Sequence, residues 1–252
     1  MLSVLVLELP AVLPVPASGA GAVQVRHRNL PVGTEETAAL VDELADDRPV
    51  LVLYPRRRAA QVLPVVRLLR RVLDTCRVIA LPTALTPLAA SVLVRLLVPV
   101  IERLDLDAGR AAAAVPALEG QLTVLRWQRN PLSPRNRHGV LHIGGATHRI
   151  AADTDPGRWL SADRWLRADR PSKVELYGAD RDLTWLRAAL SSVDMPAPPA
   201  TPARPSRWRQ SAELVRYPAT VELSAADLVV EDCHWCGLAG PSGPCAFCGV
   251  AR

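Results

Sequence analysis

Apolar residues run in two rhythms along the first half of this 252-residue chain. Residues 49–54 (Pro-Val-Leu-Val-Leu-Tyr) are continuously apolar, the pattern of a strand buried on both faces. Val62, Val65, Val66, Leu69, Val72 and Leu73 then recur at helical spacing, with Arg67, Arg70, Arg71 and Asp74 on the polar side. Residues 76–81 form a second apolar run, centred ~27 residues after the first, as a right-handed βαβ crossover requires. Thr86-Pro87 reads as an N-cap with proline in the first turn, opening an apolar helix to about residue 104. Upstream, residues 3–9 and 23–27 read as strands. Thr34 is the expected N-cap of a helix reaching about residue 45, with Glu35 and Glu36 placing negative charge in its first turn.

The second half is less regular. An alanine-rich segment at 111–117 leads to a strand at 121–127, a polar turn, and a strand at 139–143, together a hairpin with a long loop. Arg-Trp-Leu-x-Ala-Asp occurs twice, from Arg158 and from Arg164, and reads as two turns of one helix. A strand at 173–177 and a helix capped by Asp180 or Asp182 follow. Five prolines between Met195 and Ser206 then mark a semi-rigid linker. Residues 212–223 read as one or two short strands and 224–228 as a turn of helix. The expected organisation is an α/β domain over 1–192, a proline-rich linker over 193–210, and a C-terminal segment over 211–252. The expected fold class is α/β, a mainly parallel or mixed sheet with flanking helices, plus a small C-terminal module.

Half the residues are hydrophobic, enough for a sizeable core. The net charge of +5 rests on 30 basic residues, of which Lys173 is the sole lysine, so an arginine bias weakens any inference from charge. Lys173 lies between Ser172 and Val174, which excludes a phosphate-binding Gly-Lys-Ser/Thr loop. The apolar start lacks a basic leader region and contains Glu8. The apolar run at 79–101 contains Pro82, Pro87, Arg95 and Pro99, which argues against a spanning helix. A soluble cytoplasmic protein with free thiols and no membrane association is expected.

The clearest chemistry lies in Cys233-His-Trp-Cys236-Gly237 and Cys245-Ala-Phe-Cys248-Gly249. Two residues between paired cysteines let a tight turn aim both sulfurs at one ion, and the glycine after each pair suits positive φ. The tail resembles the zinc-ribbon family of paired-knuckle modules. That resemblance implies a structural zinc held by Cys233, Cys236, Cys245 and Cys248. Two disulfides, a redox pair or an iron site are the competing readings.

Other candidates are less specific. Arg56-Arg57-Arg58 follows a strand and precedes a helix, where an anion would relieve repulsion between the arginines and the helix dipole; a solvated arginine run is the simpler alternative. Trp208 between Arg207 and Arg209 is the aromatic expected to await a partner, while Trp127, Trp159 and Trp185 are expected in the core. His138 and His142 lie ~13 Å apart on one strand, too far to share an ion. His148 could fold back towards His142 beyond the Gly-Gly turn, for a second metal site or an acid–base group with Asp153 and Asp155. Ordinary polar turn residues are the simpler reading. No Gly-x-Ser-x-Gly, His-Glu-x-x-His or dinucleotide fingerprint is present. The expectation is therefore a non-enzymatic adaptor that docks a protein partner through the ribbon loop, with His234, Trp235 and Phe247 presented. The alternatives are a nucleic-acid-binding protein using the ribbon and Arg/Trp surface, and an enzyme binding an anionic or nucleotide ligand at Arg56–Arg58.

Overall fold

The computed structural model describes residues 2–9, 11–14, 23–45, 48–73, 77–129, 137–143, 146–150, 172–178, 187, 200–202 and 210–250. They divide into two compact units, one formed by 1–118 together with 222–252 and the other by 119–221.

The first unit is built on β1 (Leu2–Leu7), β2 (Val23–Arg28), β3 (Val50–Pro55) and β4 (Val78–Thr83). All pair in parallel, in the order β2-β1-β3-β4. Every residue of β1 and β3 is buried, as the unbroken apolar runs require of central strands covered on both faces. On one face Leu5, Leu7, Val50, Val52 and Tyr54 pack with Leu40 and Leu44 around α1 (Thr34–Glu43), and with Val62, Val66, Leu69 and Leu73 of α2 (Ala59–Leu73). The alternate strand residues Val4, Val6, Leu51, Leu53 and Ile79 are buried as well. Two further helices, α3 (Pro87–Leu104) and α4 (Ala108–Glu119), are buried along most of their length.

Local chemistry sets the element ends. The Thr86 hydroxyl accepts from the Ala89 N–H at 3.3 Å and Pro87 fills the first helical position, as the sequence predicts for α3. At α1 the expected cap moves by one residue. Gly33, at φ 94°, is the N-cap and Thr34 already belongs to the helix. Glycine adopts that backbone without steric cost, and the Glu36 carboxylate accepts from the Val32 N–H at 2.6 Å to close the entry. The alanine-rich stretch at 111–117 lies within α4, in keeping with the high helix propensity of alanine.

The second unit carries a sheet ordered β7-β6-β5-β10-β8-β9. These strands are β5 (Thr123–Arg129), β6 (Arg137–Ile143), β7 (Ala146–Ile150), β8 (Ser172–Gly178), β9 (Ala200–Pro202) and β10 (Gln210–Pro218). The predicted hairpin is β5–β6, with Thr123 opposite Ile143. In β7, His148 opposes Leu141 rather than His142, so the fold-back expected to bring these histidines together is not the register adopted. One nine-residue strand, β10, replaces the short strands expected over 212–223, and it runs between β5 and β8. The chain therefore does not partition at 192 and 211. Within the expected linker, β9 pairs with β8, and the stretch after residue 221 returns to the first unit. The helices expected over 158–167 and 180–190 fall on residues that, apart from helical Arg187, lie outside the described set, as do Trp159, Trp165 and Trp185. No helix among the described residues is long and apolar enough to cross a membrane.

Candidate functional site

The cysteine tail forms two similar knuckles. In the first, the Gly237 N–H donates to the Cys233 carbonyl at 2.7 Å and the Cys233 N–H donates to the Leu238 carbonyl at 3.1 Å. In the second, the Gly249 N–H donates to the Cys245 carbonyl at 2.8 Å and the Cys245 N–H donates to the Val250 carbonyl at 2.8 Å. Gly237 and Gly249 have φ of 71° and 79°, the left-handed conformation that the spacing Cys-x-x-Cys-Gly implies. A short ribbon, β11 (Glu231–Asp232) with β12 (Ala239–Gly240), flanks the first knuckle.

All four sulfurs lie within 4.8 Å of one another. The pairs Cys233–Cys248 and Cys236–Cys245 are each 3.7 Å apart. A disulfide needs about 2.05 Å, so these are not bonded pairs. Tetrahedral ligation with metal–sulfur bonds of about 2.3 Å gives sulfur–sulfur edges of about 3.8 Å, and the cluster could hold a metal ion. The thiols are not alike. Backbone N–H groups of Cys236 and Trp235 lower the Cys233 thiol. Burial works to raise the Cys245 thiol, but N–H donors from Cys248 and Phe247 and the neighbouring sulfurs bring it down to about 6. Burial pushes Cys236 up to about 12 and also raises Cys248. Each knuckle thus pairs one sulfur whose surroundings favour the thiolate with one whose burial disfavours it.

The tail packs into the first unit instead of extending from it. β4 is an edge strand of the parallel sheet, and its Ala80 N–H donates to the Ala246 carbonyl at 3.1 Å. From α2, Arg70 donates through Nε to the Val78 carbonyl at 3.1 Å and through Nη2 to the Ala246 carbonyl. Burial lowers the Arg70 guanidinium while the Cys245 and Cys248 sulfurs act to raise it. Arg103 of α3 donates to the Leu223 carbonyl at 2.9 Å where the chain re-enters this unit. Phe247 is 3% exposed, so the prediction that it faces a partner is corrected: it is a core residue. His234 is exposed and Trp235 is 74% exposed, as a presented loop would have them. Arg207, Trp208 and Arg209 lie outside the described residues, and Trp127 lies on β5 with its side chain outside them.

One further contact is specific. A Cβ on Gly109 of α4 would stand 2.2 Å from the Ala239 carbonyl oxygen. Gly109→Ala is expected to destabilise the first unit by about 1–3 kcal/mol despite the better helix propensity of alanine, because backbone must move. Thermal melting of the variant checks this.

Arg56, Arg57 and Arg58 form an exposed 3-10 turn between β3 and α2. They stand at the carboxyl end of a parallel strand, where open α/β sheets bind ligands. Arg58 lies 3.6 Å from the Glu8 carboxylate and donates to Gln61 at 2.7 Å. Glu8 follows β1 with φ 57°, a conformation uncommon for a residue other than glycine, and its carboxylate accepts from the Leu30 N–H at 2.7 Å. Thr83, at the same end of β4, is buried, with its hydroxyl accepting from the Leu85 N–H at 3.1 Å. On the α1–α2 side, Gly33, Thr34, Ala38, Val41, Leu68 and Val72 line an open apolar cavity of about 510 Å³. Leu68 and Val72 are 42% and 54% exposed there. Sequence reasoning placed Val72 on the apolar face of α2 and missed this cavity, whose signal is helical periodicity continuing onto an uncovered flank.

No family model matches the sequence, and no curated protein is found to match it. Solved structures do resemble it. A DegV family protein from Corynebacterium glutamicum superposes with a TM-score of 0.60 at 12% identity, over 87% of this chain and 98% of that one. The fold is DegV-like. A DegV family protein from Eubacterium eligens, loaded with heptadecanoic acid, gives a TM-score of 0.56 at 8% identity, covering 87% of this chain and 100% of its own. A stearic-acid-binding protein from Eubacterium ventriosum gives 0.55 at 10% identity, over 86% and 98% of the two chains. Coverage of this extent exceeds either compact unit, so the DegV-like match includes residues of both. It overturns the predicted zinc-ribbon adaptor, because structures sharing this fold are described as fatty-acid-binding and the ribbon is built into the first unit. The expected protein and nucleic-acid partners and the enzyme reading at Arg56–Arg58 fall with it.

Proposed function

We propose that this protein binds a fatty acid or a similar long-chain carboxylate as a ligand, without turning it over. The observation that carries this reading is the DegV-like likeness over 87% of the chain, among structures described as holding stearic or heptadecanoic acid. The carboxyl ends of β1, β3 and β4 supply a place for the head group, with Arg56, Arg57 and Arg58 as the cations. The open cavity beside α1 and α2, mainly apolar with Thr34, Thr37 and Asp42 also in its lining, has a volume in the range of small-molecule sites and offers a surface for an acyl chain.

Titration of the delipidated protein with a fluorescent fatty acid, backed by native mass spectrometry, tests the reading. One bound acyl chain per protein is expected. Arg56→Gln, Arg57→Gln and Arg58→Gln together are expected to weaken carboxylate binding about 10-fold or more while leaving the matching fatty alcohol little changed. Absence of fatty-acid binding by the wild-type protein would sink the proposal.

The four-cysteine cluster is proposed to hold a structural metal ion, with Cys233, Cys236, Cys245 and Cys248 as its ligands. Four thiolates with no open position suit zinc, which supplies folding energy at such a site and no chemistry. The supporting observation is the pair of 3.7 Å sulfur contacts that join one matched knuckle to the other.

A further inference from the structure

We propose that Arg70 is an outer-shell residue of the metal centre, and that through it the bound metal fastens the edge of the main sheet. The inference rests on the reading of the four cysteines as a metal site, and goes beyond it by assigning what the site does for the rest of the molecule.

Arg70 projects from α2, a helix with no sequence proximity to the tail. Its guanidinium spans two segments, donating to the Val78 carbonyl on β4 and to the Ala246 carbonyl. Ala246 lies directly after the ligand Cys245 and two residues before the ligand Cys248. The same carbonyl oxygen accepts from the Ala80 N–H of β4. One tail oxygen therefore receives a charged donor from the helix layer and a backbone donor from the sheet edge. Metal ligation on both sides of Ala246 fixes the direction of that oxygen.

Charge points the same way. Four thiolates around a divalent ion carry a net charge of −2, and a buried excess of negative charge needs a nearby cation. Arg70 is half-buried and close enough to Cys245 and Cys248 for their charges to bear on it. Arginine suits this place because its planar fork reaches two acceptors at once and stays charged when desolvated. Outer-shell partners of this type typically change metal affinity 10–100-fold.

The test compares wild type with Arg70→Met, which keeps the aliphatic stem, and Arg70→Lys, which keeps the charge on a single donor head. Cobalt(II) is the probe, read by its thiolate absorption and by competition with a chelator. Thermal melting with and without metal and amide exchange at Ala80 complete the set. The expected result is a tetrahedral cobalt spectrum in all three proteins, with affinity 10–100-fold weaker in Arg70→Met and partly restored in Arg70→Lys. The gain in melting temperature on adding metal should shrink in Arg70→Met, and the Ala80 amide should exchange faster when wild type is stripped of metal. An arginine that merely packs would lower the apo and loaded midpoints equally. That outcome, or unchanged cobalt affinity in Arg70→Met, overturns the proposal. Failure of wild type to show thiolate absorption would instead remove the metal site itself.

Discussion

Cys245→Ser is expected to purify without its metal and to melt about 6–20 °C below wild type. The size follows from where the knuckle sits. Structural zinc contributes about 10–16 kcal/mol to folding in small finger peptides. If a third of that reaches the first unit through the Ala246 contacts, the loss is about 3–5 kcal/mol, and each kcal/mol moves the midpoint of a domain of this size by about 2–4 °C. Metal analysis and differential scanning calorimetry read the two halves of the result. Chelation of wild type should reproduce the shift, and added zinc should reverse it. Acid should do the same, since protons compete for ligands that must be thiolates. A folded, metal-free wild type with an unchanged midpoint would remove the centre from the account.

Leu5→Ala is expected to cost about 2–5 kcal/mol, enough to leave a large unfolded fraction at 37 °C in a domain of ordinary stability. Leu5 is fully buried at the centre of β1, the strand with partners on both sides, and it packs into the cluster shared with α1 and α2. The cavity cannot collapse readily, because the neighbouring positions are held by parallel pairing, with Leu5 opposite Arg26 and Val52. Denaturant unfolding measures the change. A loss below about 1 kcal/mol would show that the sheet core is looser than its burial indicates.

The parallel half of the fold was legible because its signals are local. A strand covered on both faces must be apolar throughout, and β3 and β4 read that way; Thr86-Pro87 announces α3 through chemistry that needs no tertiary partner. The four-cysteine cluster was legible for the same reason, since two knuckles confine its geometry to a few residues each. Three things were not. The return of the chain to the first unit depends on Arg70, Arg103 and Gly109, each paired with a residue more than a hundred positions away. The place of β10 between β5 and β8 is a choice of partner, which strand propensity does not encode. The acyl-binding reading has no motif at all, because the apolar part of the cavity is Ala38, Val41, Leu68 and Val72, residue types that any core also uses. Phe247 shows the opposite error: an aromatic in a glycine- and proline-rich tail looked like a surface anchor, yet its short loop folds it inward.

The distance between Arg70 and its tail partner also sets a timetable. Arg70 and Ala246 are 176 residues apart. Ala80 of β4 precedes the same residue by 166, so at synthesis rates of about 5–20 residues per second β4 leaves the ribosome roughly 8–33 s before the segment that covers it. During that interval the nascent sheet carries an open strand edge, the kind of surface that recruits other unfinished chains. Closing it falls to the segment around Ala246 and to the ion proposed for its flanking cysteines, so a cell short of that ion would accumulate chains unsealed at β4.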